Sequence, residues 1–414
     1  MTHAHSSEAV TGTGDRSRPR AALPALCATQ ITSWGVVYYA FPVLNPQITT
    51  ATGWSATATT GAFSGALLVS AVVGIFVGRV LDRRGPRAVM TSGSVLGVVA
   101  MLAIAYAPNL WVFTAAWLLA GVAMASTFYQ PAFAALTRWW GADRVRALTV
   151  VTLAGGLAST VFAPLTATLA GHFGWRIAYA VLAAILAVVT IPAHALALRA
   201  PWPLASAPPP QQGPHGGSVA RTRPFFMLAT ALTLNSFAMY AVVVALVPLL
   251  MERGASPTAA AWALGLGGAG QTLGRTLYAT LARSTGVTTR TFALMLAGGI
   301  TTATFAMVPG PFPLLVGIAI AAGMVRGNLT LLQATAVTDR WGTAHYGRLS
   351  GLLVAPATVA SALAPFAGAS LAGQLGGYPG LFVLLALVSA AAAVVALGGT
   401  PPRHHDGTIT SEWS

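Results

Sequence analysis

From residue 22 to residue 399 the chain is a succession of apolar runs, most of about 20 residues or more, separated by short polar breaks. A helix of that length spans the ~30 Å of hydrocarbon in a bilayer. Backbone polar groups find no water in lipid, so only helices or a closed barrel satisfy them there. The runs lack the alternating apolar and polar residues of barrel strands. The expected fold class is therefore an all-α membrane protein. Charged residues make up only 7% of the chain, against about 25% in a soluble domain. The shortage extends along the whole chain, which excludes a lone anchor or a signal peptide. In water such a chain would expose extensive apolar patches.

Twelve spans are predicted, at roughly 22–45, 57–80, 88–107, 110–136, 148–171, 175–198, 225–251, 258–282, 290–308, 312–337, 346–371 and 378–399. All 22 basic residues are arginine. Eighteen fall on one side of these spans, among them Arg83, Arg84, Arg87, Arg138, Arg144 and Arg146. Arg176 and Arg253 fall on the other, and Arg275 and Arg326 lie inside spans. Positive residues stay inside, so the rich side is read as cytoplasmic, with both termini there. The protein is expected in the cytoplasmic membrane of a bacterium. Residues 199–224 are crowded with Pro, Gly and Gln and read as a flexible cytoplasmic linker. It separates bundles at 22–198 and 225–399, with tails at 1–21 and 400–414. The net charge of +14 suggests nucleic acid, but the arginines sit between helices and form no basic face.

Shifted by 201 residues, the second half meets the first. Tyr39 meets Tyr240, Ser55 meets Ser256, Pro108 meets Pro309, Trp140 meets Trp341, and Ala163-Pro164 meets Ala364-Pro365. Each half has six spans and starts on the same side. A parallel repeat of this kind lets two bundles rock about a site at their interface.

Between spans two and three the chain reads Gly78-Arg79-Val80-Leu81-Asp82-Arg83-Arg84-Gly85-Pro86-Arg87. Gly78 allows close helix approach and Gly85 a tight turn. The segment resembles the loop signature G-x-x-x-D-R-x-G-x-R of the major facilitator superfamily. That resemblance implies a conformational latch made by Gly78, Asp82, Arg83, Gly85 and Arg87. In the second half Ala279, Arg283 and Gly286 stand in place of Gly78, Asp82 and Gly85, so no equivalent latch is expected there. Gly53-Trp54-Ser55, Trp139-Trp140, Gly155-Gly156 and Gly174-Trp175-Arg176 further resemble the branch of monocarboxylate transporters and oxalate:formate antiporters.

A charge at bilayer depth is expensive and marks function by default. None of the eight acidic residues is predicted at mid-membrane. Arg275 and Arg326 therefore lack an internal counter-charge, and an anionic substrate is the economical one; Arg offers a fork of donors matched to a carboxylate. The branch resemblance implies a substrate-binding arginine on span eight, where Arg275 stands. The oxalate exchangers add a lysine on span eleven; here the second cation is Arg326 on span ten. Trp34, Tyr38, Tyr129, Gln130, Asn235, Tyr240, Gln271 and Gln333 are further candidates for the same cavity. Gln30, Trp34 and Tyr38 recur every fourth residue, and His172 and His194 read as interfacial.

These readings converge on a secondary transporter of a small organic anion, a monocarboxylate, working by alternating access. Coupling to a proton or to an exchanged anion is open. The alternative is an exporter of a drug or natural product of the same superfamily. No enzyme activity, cofactor, metal site or nucleic-acid partner is expected. The partners are the small-molecule substrate and the lipid bilayer, and a monomer is expected.

Overall fold

The structure is a computed structural model that describes residues 19–202, 219–342 and 346–400. Residues 1–18, 203–218 and 401–414 hold most of the expected tails and linker, with Arg16, Arg18 and Arg403, and lie outside the described residues. Among the described residues every regular element is helical. Helix α1 (Ala22–Ser33) passes through a π-helical turn (Trp34–Tyr39) into α2 (Ala40–Thr52). Then come α3 (Ala56–Arg84), α4 (Pro86–Ala105), α5 (Leu110–Thr127), α6 (Tyr129–Trp140), α7 (Arg144–Gly156) and α8 (Ala158–Ala197). The second half holds α9 (Arg223–Glu252), α10 (Pro257–Ser284), α11 (Val287–Met307), α12 (Phe312–Thr335), α13 (Thr338–Trp341), α14 (Tyr346–Gln374) and α15 (Tyr378–Ala396). Among the described residues, eight helical stretches are long and apolar enough to cross a membrane.

Local chemistry sets the boundaries. Ser55 caps α3 by accepting from the Ala58 amide at 3.1 Å, and Ser256 caps α10 by accepting from Ala259 at 3.2 Å. Gly174, at φ 79°, breaks α8 into two rods. The first apolar run continues seven residues past its expected end at 45, to Thr52. The fourth run breaks at Phe128, whose ψ is −162°.

That break has a consequence. Pro131 has no amide hydrogen to give the Thr127 carbonyl four residues earlier. The side chain of Gln30 supplies it instead, Nε2 donating to Thr127 O at 2.7 Å. Gln30 is thereby spent on α5.

Helices α3, α4, α5 and α8 pack on one another, as do α9, α14 and α15, while α10 packs along α12 and α11 along α15. Across the halves α8 meets α10 and α3 meets α14. At the arginine-poor end one apolar core draws on both halves, including Phe41, Leu44, Val247 and Leu264. At the arginine-rich end the core divides. One cluster there holds Leu26, Met90, Leu136 and Val151, and another holds Phe225, Leu232, Met295 and Leu332. His194 is not interfacial as expected. It is fully buried, its Nδ1 2.8 Å from Ser94 Oγ.

Candidate substrate cavity

Between the two divided clusters lies a cavity of about 450 Å³, running from Trp34, Tyr38 and Tyr240 down to Phe133, Gln333 and Ser350. A further space of about 140 Å³ continues it inward and shares Trp34, Tyr38, Tyr129, Tyr240 and Thr330 with it. Arg275, Arg326 and Gln271 line this inner chamber. Glycine brings them together. Helices α10 and α12 approach so closely that a Cβ on Gly323 would stand 1.9 Å from Gly267 O. A Cβ on Gly327 would stand 2.1 Å from Gln271 O. Only residues without a side chain allow this backbone contact. It sets Arg326, beside Gly327, next to the turn that carries Gln271 and Arg275.

Arg275 is buried and donates through one terminal nitrogen to the Thr152 carbonyl of α7. The Gly155-Gly156 pair makes room for it: a Cβ on Gly156 would lie 2.9 Å from an Arg275 terminal nitrogen, and one on Gly155 2.2 Å from the Tyr129 hydroxyl. Arg326 donates from Nε to Gln271 Oε1 at 3.3 Å. Its terminal nitrogens meet no acceptor among the described residues. Among the described residues no acid lines either space.

The opposite wall is aromatic. Trp34 stacks on Phe128 with centroids 4.1 Å apart and tilts against Tyr129 at 5.2 Å. Tyr38 sits edge-on to Tyr240 at 6.4 Å. Trp34 and Tyr38 belong to the π-helical turn, a form frequent at functional sites. The Trp34 indole nitrogen and the Tyr38 hydroxyl are buried and unpartnered among the described residues. Tyr129, Gln130 and Gln333 line the larger space, and Gln130 also borders a crevice with Gly78 and Asp82. Asn235 lies apart from the chamber, in a small crevice behind Arg326. Sequence reasoning missed Tyr39, Ser236 and Thr330, which also line the cavity. Tyr39 could have been found from its repeat partner Tyr240; the two hydroxyl residues carry no such signal.

The Major Facilitator Superfamily profile matches residues 26–311 and 228–412. The chain belongs to the Major Facilitator Superfamily. It is a multi-pass membrane transporter. It is 30% identical over 321 residues to Monocarboxylate transporter 13 of Bos taurus, covering 74% of this chain and 72% of that one. It is 27% identical over 310 residues to the protein of that name from Rattus norvegicus, covering 72% and 70%. Over 136 residues it is 26% identical to the uncharacterized MFS-type transporter YcxA of Bacillus subtilis (strain 168), a third of each chain. This facilitator thus resembles the monocarboxylate transporter branch.

The superfamily's loop signature is built as follows. Asp82 pairs with Arg138 at the end of α6. Arg138 lies over the Trp202 ring at 4.4 Å, and the Trp202 indole donates to the Asp82 carbonyl at 3.1 Å. Gly85 turns at φ 76° with Trp202 against it. Arg87 donates to the Ala195 carbonyl at 2.9 Å, and Arg83 is exposed. Gly78 departs from its expected role: no atom lies within 4 Å of a Cβ placed there. The physical reason is that Gly78 borders an open crevice with Asp82, Gln130 and Pro131 instead of a neighbouring helix. In the second half Arg290 and Asp339 form an ion pair at 2.7 Å.

Proposed function

We propose that this transporter carries a small organic anion, a monocarboxylate, by alternating access. The observation that carries the reading is the pair Arg275 and Arg326 on one chamber with no acid among its described lining residues. A guanidinium gives a carboxylate two parallel donors, and the Trp34 and Tyr38 donors are unspent. Arg275 and Arg326 are the charge partners of the cargo. Tyr129, Tyr240, Gln271, Gln130 and Gln333 shape the path, and Trp34 and Tyr38 form its aromatic wall. The name of the mammalian relatives, monocarboxylate transporter, supports the cargo class.

The transport unit consists of two six-helix bundles, 22–198 and 225–399, joined by the linker 199–224. The shared cap serines Ser55 and Ser256 and the left-handed turns at Gly53 and Gly254 support the parallel repeat. The arginine-rich end is cytoplasmic and both termini lie there, in the cell membrane. The joined core at one end and the divided cores at the other correspond to a state open to the cytoplasm. Without an acid among the described residues of the chamber to shuttle a proton, exchange against a second anion is the favoured coupling.

The test is uptake of labelled acetate, lactate and benzoate into proteoliposomes. Loss of a charge-assisted bond costs about 1.5–3 kcal/mol, so Arg275→Gln should lower uptake at limiting substrate at least tenfold while leaving the protein folded. Unchanged uptake in that variant removes Arg275 from the site.

A further inference from the structure

Arg326 borders two spaces. One is the cargo chamber. The other is a crevice of about 40 Å³ inside the second half, enclosed by α9, α11, α12 and α15. A buried water needs about 10–15 Å³ of such space. The crevice therefore has room for a monatomic ion with a water or two, and is smaller than the cargo chamber.

Its polar lining is specific. Asn235 is only 6% exposed and borders the crevice. Its carboxamide has no hydrogen-bond partner among the described residues. A buried amide without a partner is costly unless something in the space bonds it. The terminal nitrogens of Arg326 are likewise without a protein acceptor among the described residues. Thr301, Thr302 and Ser389 complete the polar lining; Thr301 and Thr302 donate to the Gly298 carbonyl at 3.0 and 2.8 Å, and Ser389 to the Leu385 carbonyl at 3.0 Å. Among the described residues no carboxylate borders the crevice. Arg326 and the Asn235 amide thus border a space smaller than the cargo chamber, with no carboxylate among its described lining residues.

We propose that this crevice binds a chloride-sized anion, held by the Arg326 guanidinium and the Asn235 amide. The site stands independently of the cargo reading. Where that reading also holds, the bound halide has a consequence for the chamber. It offsets part of the charge of Arg326, which the halide and the cargo then share, and leaves Arg275 the larger part in holding the cargo, which suits one carboxylate and not two.

The experiment uses the full chain purified in detergent in sodium gluconate. Sodium chloride, then sodium bromide, is titrated against gluconate at constant ionic strength while thermal unfolding is followed. A ligand of the native state alone gives a saturable rise, here roughly 2–4 °C. Arg275→Gln should keep the rise, whereas Asn235→Leu and Arg326→Gln should lose it. Should the leucine variant fail to fold, Asn235→Ser is read instead, and its rise should need several-fold more chloride. Crystals grown in bromide should show an anomalous peak between Asn235 and Arg326. A folded wild type with no halide-specific rise overturns the proposal. So does an equal rise in the Asn235 variants, or a crevice holding water alone. Failure of the cargo reading looks different: Arg275→Gln would then transport normally with the chloride effect intact.

Discussion

The two halves fasten their arginine-rich ends with ion pairs of opposite sense. In the first half the acid, Asp82, ends α3 and the base, Arg138, ends α6. In the second half the base, Arg290, opens α11 and the acid, Asp339, lies in α13 just beyond α12. Positions 138 and 339 are 201 residues apart, the offset of the repeat, and they carry opposite charges. Their surroundings differ too. The Asp82 side chain is 63% exposed, whereas Asp339 is 26% and Arg290 only 4% exposed. Arg290 donates to the Ala282 and Thr285 carbonyls, and Asp339 also accepts from Thr335 at 3.0 Å. Beside them burial pulls the Arg340 pKa down to about 10, against the attraction of Asp339. What the halves share is one partner position, 138 and 339; the other partner moves from the end of α3 to the start of α11, and the signs are exchanged. The exposed pair can open cheaply during a transport cycle, while the buried one ties its half together.

That contrast gives the largest expected effect. Asp339→Ala leaves Arg290 buried without its counter-charge, and breaking a buried pair costs about 3–5 kcal/mol. Partial exposure of Asp339 and the two carbonyls left to Arg290 place the loss near the low end. Asp82→Ala should cost about 0–1 kcal/mol, as for exposed pairs. Thermal unfolding of the two variants side by side decides the matter, and equal losses would erase the distinction. A smaller effect tests whether sign is free. Asp82→Arg alone sets like charges together beside Arg83 and Arg84 and should destabilise by about 1 kcal/mol. Adding Arg138→Asp recreates the second half's polarity and should restore part of that loss in a double-mutant cycle. No recovery would mean that the first half needs its own polarity.

Trp202 is a feature of the first half alone among the described residues, since the position one repeat later, 403, lies outside them. Its ring carries Arg138 at 4.4 Å and its indole holds the Asp82 carbonyl. An exposed cation–π contact and a neutral hydrogen bond are each worth about 0.5–1 kcal/mol. Trp202→Ala should therefore cost about 1 kcal/mol and loosen the Asp82–Arg138 pair, read as a larger response of stability to salt. A salt response unchanged from wild type would detach Trp202 from the pair.

Much of this was legible in the chain. Arg275 and Arg326 stand out because charge inside an apolar run has no bland neighbours, and the Tyr, Trp and Pro matches marked the repeat. Side-chain direction was harder. The fourfold spacing of Gln30, Trp34 and Tyr38 predicts one face, but Pro131 opened the Thr127 carbonyl and drew Gln30 away. Ser236 and Thr330 line the cavity without any periodic signal, because a hydroxyl is tolerated on every face of an apolar helix. The second ion pair was hidden by comparing like positions in one loop: Arg283 stands where an acid was sought, while the pairing had moved to Arg290 and Asp339.

The smallest expected effect lies at the opposite end of the molecule, where the halves agree on the acceptor and differ in the donor. Arg176 donates to the Ala105 and Ala107 carbonyls at 2.9 and 3.2 Å. Arg253 donates to the Ala306 and Val308 carbonyls, one of them at 3.0 Å. The acceptors are again 201 residues apart, carbonyls at and just past the ends of α4 and α11, yet one arginine enters from α8 and the other from the end of α9. The last turn of a helix leaves carbonyls without donors and a partial negative charge. An arginine satisfies both needs from whichever neighbouring strand of chain is within reach. These two arginines therefore need no role in cargo binding to account for their place. Arg176→Gln and Arg253→Gln should each cost about 0.3–1 kcal/mol, and the double variant should lose the sum of the two, because they cap different helices. Uptake in proteoliposomes should be unchanged in both. A loss of transport larger than the loss of stability would mean that this end of the molecule opens through these caps and is not merely held by them.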